Sequence, residues 1–226
     1  MLVLALDTTT PPGSCAIARD GIVLAEDVNP AGQDHGERLP RELMALLDRV
    51  GMSLNAIDLF AVATGPGSFT GLRIGIATMQ GLAFAEGKGL IGVSGFDALA
   101  HLAGRDGRVA TWVDAWRGEV FAALYHDGRE VDEPTVGTPE RLLERLRGAS
   151  TRFIGGGAAT YRDLITRALG DAGHVADPAT PPLAGTIAVI AGEVAAAGPS
   201  PGPDAIRPLY VRRSDAEIAK DGRAAC

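Results

Sequence analysis

The chain has 226 residues, 46% of them hydrophobic, and a formal net charge of −7, with a pI near 5.1 and a mean hydropathy of +0.12. A chain this long buries about 70–75% of its unfolded surface, so it needs no disulfide or metal scaffold, and only two cysteines, Cys15 and Cys226, are present, as suits a reducing compartment. The acidic balance argues against an extended phosphate-backbone footprint, and no stretch reaches the roughly 18–20 apolar residues of a membrane span.

The start, MLVLALD, meets Asp7 without a basic leader, unlike a signal peptide, so a soluble, cytoplasmic protein without membrane partners is expected. Residues 2–6 have no polar face and read as a strand buried on both sides. Residues 14–18 and 22–25 flank Asp20-Gly21, the pair that favours a type I′ hairpin turn. A helix is expected over 36–50, with Leu39, Leu43, Leu46, Leu47 and Val50 on one face. A strand at 59–63, a glycine-rich loop at 65–71, a helix at 72–85 and a strand at 90–93 follow. Ser94 then caps a helix over 96–103, with Asp97 placed for a capping box.

The second half repeats this order. A strand at 109–113 ends at Asp114, and Asp127-Gly128 turns a hairpin between 119–125 and 129–131. Asp7 and Asp114 lie 107 residues apart, as do Gly21 and Gly128. Thr138-Pro139-Glu140 opens a helix with a capping hydroxyl and proline in the first turn. A strand at 152–154, three glycines at 155–157, a helix at 161–169, a short strand at 174–176 and a helix at 186–197 complete the unit. The two halves read as an N-terminal lobe (1–103) and a C-terminal lobe (104–213), followed by a polar tail (214–226). A duplicated unit of this kind is expected to set its two strand-end aspartates across a cleft. The mild basic excess at Arg207, Arg212, Arg213, Lys220 and Arg223 reads as a solvated end.

The segment from Gly65 to Arg73, Gly-Pro-Gly-Ser-Phe-Thr-Gly-Leu-Arg, joins a buried strand to a helix. It lacks the lysine of a Walker loop and the third glycine of a dinucleotide fingerprint. Two readings stay open: an anion site built from backbone N–H groups at a helix start, or a tight packing turn. A nucleotide or anion would meet Asp7, Thr8, Gly65, Gly67, Ser68, Thr70 and Asp114, although both aspartates could instead cap turns.

The helix after this loop carries two apolar stripes, Leu72, Ile76, Met79 and Ala83 beside Ile74, Ala77, Gly81 and Phe84. A helix apolar nearly all round is covered on more than one side. With the helix over 36–50 beside it, a partner surface is expected at Leu39, Leu43, Leu72, Ile76, Met79 and Ala83, burial within the monomer being the alternative. His35, His101, His126 and His174 show no ligand spacing, so no metal site is expected. Cys15 reads as a small core residue, and Arg117 is placed to pair with Glu119.

Taken in order, Leu4-Ala5-Leu6-Asp7-Thr8, His35 with Arg38-Leu39, the run from Gly65 to Arg73, the run from Asp114 to Phe121 and Pro208-Leu209-Tyr210-Val211-Arg212 resemble the TsaB (YeaZ) family over nearly the whole chain. Trp116 stands where that family often has arginine. The resemblance implies an α/β fold of the duplicated actin/Hsp70/sugar-kinase (ASKHA) type, two lobes with mixed sheets flanked by helices. It also implies a non-catalytic subunit that supports a TsaD-like catalytic paralogue, with a TsaE-like ATPase, in transferring threonylcarbamoyl to N6 of the adenosine beside the tRNA anticodon. By the same resemblance, tRNA is met only through the complex and no cofactor is required, with room for ATP or ADP; homodimer and monomer both stay open for the chain alone. The alternative is an ATP-dependent small-molecule kinase or ATPase of the same fold. A peptidase carries little weight, since neither a zinc motif nor a nucleophile pair is legible.

Overall fold

The computed structural model describes residues 1–11, 13–28, 35–199 and 202–212; the tail expected over 214–226, with Lys220 and Arg223, and Arg213 before it lie outside them. The first half supplies β1 (Leu2–Asp7), β2 (Ser14–Arg19), β3 (Ile22–Val28), α1 (His35–Arg49), β4 (Leu59–Ala63), α2 (Phe69–Ala85), β5 (Gly89–Val93) and α3 (Gly95–Ala103). The second supplies β6 (Arg108–Asp114), β7 (Val120–His126), β8 (Arg129–Glu130), β9 (Thr135–Gly137), α4 (Pro139–Leu146), β10 (Thr151–Ile154), α5 (Gly156–Thr160), α6 (Arg162–Leu169), β11 (Gly173–Val175) and α7 (Ala184–Ala197).

One sheet runs β3-β2-β1-β4-β5 and the other β11-β10-β6-β7-β8, with β9 also on β7. In each, the opening strand is central, antiparallel to its hairpin neighbour and parallel to the strand beyond the next helix. The 107-residue offset is therefore a duplication of topology. Both Asp-Gly pairs hold the left-handed conformation of a type I′ turn, with φ of +50° and +80° at Asp20 and Gly21, and +49° and +74° at Asp127 and Gly128.

The apolar character of β1 follows from what covers it. Val3 and Ala5 belong to a central core between the sheets, while Leu2, Leu4 and Leu6 face an outer core under α1 and α2. Each strand residue points opposite to its neighbour, so a strand covered on both faces has no polar register. A third core lies beneath α4 and α6, around Trp112 and Phe153, whose rings meet edge-on at 5.2 Å.

Each half lends its last helix to the other. Helix α3 follows β5 yet packs on β6, β7 and β10, whereas α7 follows β11 and packs on β1 through β5. Ala184, Ile187, Ala188 and Ala191 of α7 share a core with Ala5, Ala16, Ala18, Ala61 and Ala63; small side chains on both surfaces permit close approach. The start of α7 is tied to the first sheet. Ser14 Oγ accepts from the Leu183 and Ala184 amides (3.3 and 3.0 Å), and Glu26 Oε1 from the Gly185 amide (2.8 Å), satisfying donors that a helix start leaves open.

Several local expectations shift. Helix α2 starts at Phe69, not 72, because Ser68 is its cap and accepts from the Gly71 amide at 3.2 Å. Ser94 does cap α3, accepting from the Phe96 amide (3.1 Å), while Asp97 accepts from the Tyr125 hydroxyl at 2.7 Å. Thr138 occupies the cap position of α4 without a side-chain capping bond, leaving Pro139 to open the helix. Glu119 pairs with Arg212, whose guanidinium also donates to the Ala115 carbonyl at 3.2 Å. Residues 202–212 thereby run from α2, where Gln80 donates to the Pro203 carbonyl (2.8 Å), past Thr64, whose carbonyl accepts from the Leu209 amide (2.7 Å), to the second sheet.

Candidate functional site

The end of β1 and the loop before α2 meet in a tight knot. Asp7 is fully buried. Its Oδ1 accepts from the Thr9 amide (2.8 Å) and hydroxyl (2.6 Å), and its Oδ2 from the Thr10 hydroxyl (2.5 Å). Thr8 Oγ1 donates to the Gly71 carbonyl at 2.7 Å, and the Ser68 amide donates to the Thr9 carbonyl at 3.0 Å. A Cβ at Gly67 would fall 2.2 Å from Thr9 O, at Gly71 2.1 Å from Thr8 O, and at Gly75 2.1 Å from Thr8 Oγ1. The glycines thus serve close backbone approach, the packing-turn reading of the motif. Gly65 joins the same junction, its carbonyl accepting from the Gly95 amide at 2.7 Å. Thr70 lies exposed on the first turn of α2.

Burial pushes the Asp7 carboxyl above the ordinary aspartate range, against the opposing pull of its Thr10 and Thr9 hydrogen bonds. The folded protein therefore holds a proton that the unfolded chain releases. Stability from this group is present below the ordinary aspartate pKa and is lost as pH rises through the raised folded value. Asp7→Asn keeps the Oδ1 acceptor and removes the titration. Urea midpoints measured across acidic to neutral pH are expected to fall more steeply for the native protein than for Asp7→Asn; parallel curves would contradict this assignment. Cys15 is buried, and burial pushes its thiol up to about 12, as fits an inert core residue.

Asp114, the counterpart of Asp7, is only half-buried and accepts the Trp116 amide at 2.8 Å through Oδ1. It lines a cleft of about 420 Å³ between the two sheets, whose other lining residues include Thr9, Thr10, Gly67, Trp116 and Gly156. Asp7 is enclosed by its turn, so the pair does not converge on one ligand. Trp116 and Arg117 both have φ of +57°, ahead of Gly118 at +77°. Bulky residues in this region cost on the order of 1–3 kcal/mol each. The sequence reading missed Trp116 as a cleft residue; an aromatic beside a strand-end aspartate, in the hairpin turn equivalent to 8–13, was the available signal.

A second candidate site is the outer face of α1 and α2. Leu39, Leu43, Leu72, Ile76, Met79 and Ala83, expected to face a partner, are each 5% exposed or less and form the outer core. They hold the helix pair onto the sheet. Most of the other stripe points outward: Ala77 and Gly81 are exposed and Phe84 is 83% exposed, with exposed Ala85 beside it, whereas Ile74 is half-buried against the outer core. Helix α1, packed beside it, exposes Met44 and Ala45. At the start of α2, Phe69 stacks on Tyr210 at 5.5 Å, with Arg73 4.0 Å above the Phe69 ring and donating to the Tyr210 hydroxyl at 3.2 Å.

Comparison with known proteins adds to this geometry. A family model described as "TsaD: tRNA N6-adenosine threonylcarbamoyltransferase" matches residues 28–220. The tRNA threonylcarbamoyladenosine biosynthesis protein TsaB of Escherichia coli (strain K12) is 36% identical over 177 residues, which cover 73% of this chain and 75% of that protein. The solved structure of YeaZ from Pseudomonas aeruginosa is 32% identical, with a TM-score of 0.77 over 92% of this chain and 99% of that one. An activator of the 2-hydroxyisocaproyl-CoA dehydratase from Clostridium difficile, solved with bound ADPNP, shares the fold alone, at 10% identity and a TM-score of 0.51 over 93% of this chain and 99% of that one. The architecture is the duplicated actin/Hsp70/sugar-kinase (ASKHA) fold. With its motifs in order and its topology shared, the chain belongs to the TsaB (YeaZ) family.

Proposed function

We propose that this chain is a scaffold subunit, without catalysis of its own, in the complex that transfers threonylcarbamoyl to N6 of the adenosine next to the anticodon of tRNA. It stands beside a TsaD-like catalytic subunit and a TsaE-like ATPase, meets tRNA only through them, and pairs with a second copy when alone. The names of its relatives support the pathway. The observation that carries the scaffold role is the outward stripe of α2 in the N-terminal half, where Phe84 stands 83% exposed among small residues, the anchor-and-flat-surround pattern of a helix-packing interface. The kinase or ATPase alternative needs Asp7 and Asp114 to reach one ligand, and the Thr9 and Thr10 bonds that enclose Asp7 disfavour it. Among the described residues no three His, Cys, Asp or Glu side chains are grouped to hold a metal, and no helix is long and apolar enough to cross a membrane.

The test is Phe84→Glu mixed with the purified TsaD-like subunit. A central anchor is worth 2 kcal/mol or more, so affinity is expected to fall about thirtyfold or further. The circular dichroism spectrum and urea midpoint of the free chain should stay unchanged. Native affinity in the folded variant would remove this face from the interface.

A further inference from the structure

The cleft between the two sheets has a lining poor in ionisable groups. Among the described residues that line it, Asp114 is the one ionisable side chain, and no lysine, arginine or histidine is present. A polyphosphate there would lie against a carboxylate without counter-charge, in a chain of net charge −7, and the space beside the glycine loop is filled by Thr8 and Thr9. The residues present do not fit a nucleotide. What they offer instead is a carboxylate, the half-exposed indole of Trp116, threonine hydroxyls at Thr160 and Thr180, and apolar walls such as Val113 and Leu183. The volume, about 420 Å³, lies within the span of small-molecule sites.

We infer that this cleft takes a small organic amine in its ammonium form, carried on an apolar or aromatic body. The ammonium pairs with the Asp114 carboxylate in surroundings of reduced dielectric. The Trp116 face attracts the same cation through its ring quadrupole, the hydroxyls accept its remaining N–H groups, and the apolar walls cover the body. Trp116 holds a left-handed backbone, with φ of +57°, and the Asp114 bond to its amide fixes the turn that carries both residues. The inference is independent of the α1–α2 face.

Calorimetric titration of the full chain with phenethylamine, 2-phenylethanol and ADP tests it. Phenethylamine is expected to bind saturably at millimolar concentration or below, about tenfold or more tighter than its neutral isostere. ADP should show no saturable binding. Asp114→Asn, which keeps the acceptor for the Trp116 amide, and Trp116→Ala should each weaken phenethylamine tenfold or more, with thermal melting reporting that both fold. Equal binding of amine and alcohol, undiminished amine binding in folded Asp114→Asn, or saturable ADP without amine binding would each overturn the assignment.

Discussion

Met79→Glu is expected to leave almost no folded protein at neutral pH. Met79 is fully buried in the outer core between α2 and the first sheet. Loss of the methionine's burial costs about 2–3 kcal/mol. Keeping a buried glutamate neutral at pH 7 adds roughly 4 kcal/mol, at 1.4 kcal/mol per pH unit above its ordinary pKa. Together these reach the 5–15 kcal/mol that holds an ordinary domain folded. Phe84→Glu changes a side chain on the same helix that is already in water, and its stability effect should stay within about 0.5 kcal/mol. Soluble yield and circular dichroism of the two proteins check the pair; a well-folded Met79→Glu would mean that the two stripes of α2 have been exchanged.

Gly71→Ala should destabilise the chain by about 3 kcal/mol, overpacking of this kind costing 1–3 kcal/mol where neighbours can give way. The added Cβ falls 2.1 Å from the Thr8 carbonyl oxygen, a backbone atom held by β1 on one side and by the Asp7 turn on the other. Separating α2 from β1 also weakens the bond from Thr8 Oγ1 to the Gly71 carbonyl, a loss of about 1 kcal/mol. Helix propensity works in the opposite direction, favouring alanine by about 1 kcal/mol, so the sign of the result decides between packing and propensity. Gly81→Ala is the matched control: nothing lies within 4 Å of its Cβ, propensity acts alone, and the urea midpoint should rise. If both variants move upward together, the close approach at Thr8 is not what requires glycine.

Most of the fold was legible in the sequence because its signals are local. Two-sided burial removes the polar register from residues 2–6 and 59–63, and the positive φ of Asp20-Gly21 and Asp127-Gly128 is written in those residue types. The 107-residue offset then exposed the duplication. The exchange of α3 and α7 was hidden, since an alanine-rich helix such as 184–197 shows no preferred face and the sheet it packs on ends at Val93, far earlier in the chain. The division of α2 into a covered and an exposed face was half legible: periodicity separates Leu72, Ile76, Met79 and Ala83 from Ile74, Ala77, Gly81 and Phe84, but cannot say which stripe meets the sheet. The larger side chains of the first stripe were the clue, because a core is filled by volume. For the glycine loop, Gly71 and Gly75 mark one face of α2 and Gly67 lies in the turn just before it, yet the surface they meet, Thr8 and Thr9, lies about sixty residues earlier.

In the proposed scaffold role the chain supports tRNA modification through the exposed face of α2. Nucleoside mass spectrometry on tRNA from cells depleted of this protein, then supplied with either the native chain or Phe84→Glu, tests it most directly. Threonylcarbamoyladenosine should disappear on depletion and return with the native chain. It should stay absent with Phe84→Glu, although that variant accumulates as folded protein. Persistence of the nucleoside after depletion, or its full return with Phe84→Glu, would contradict the claim.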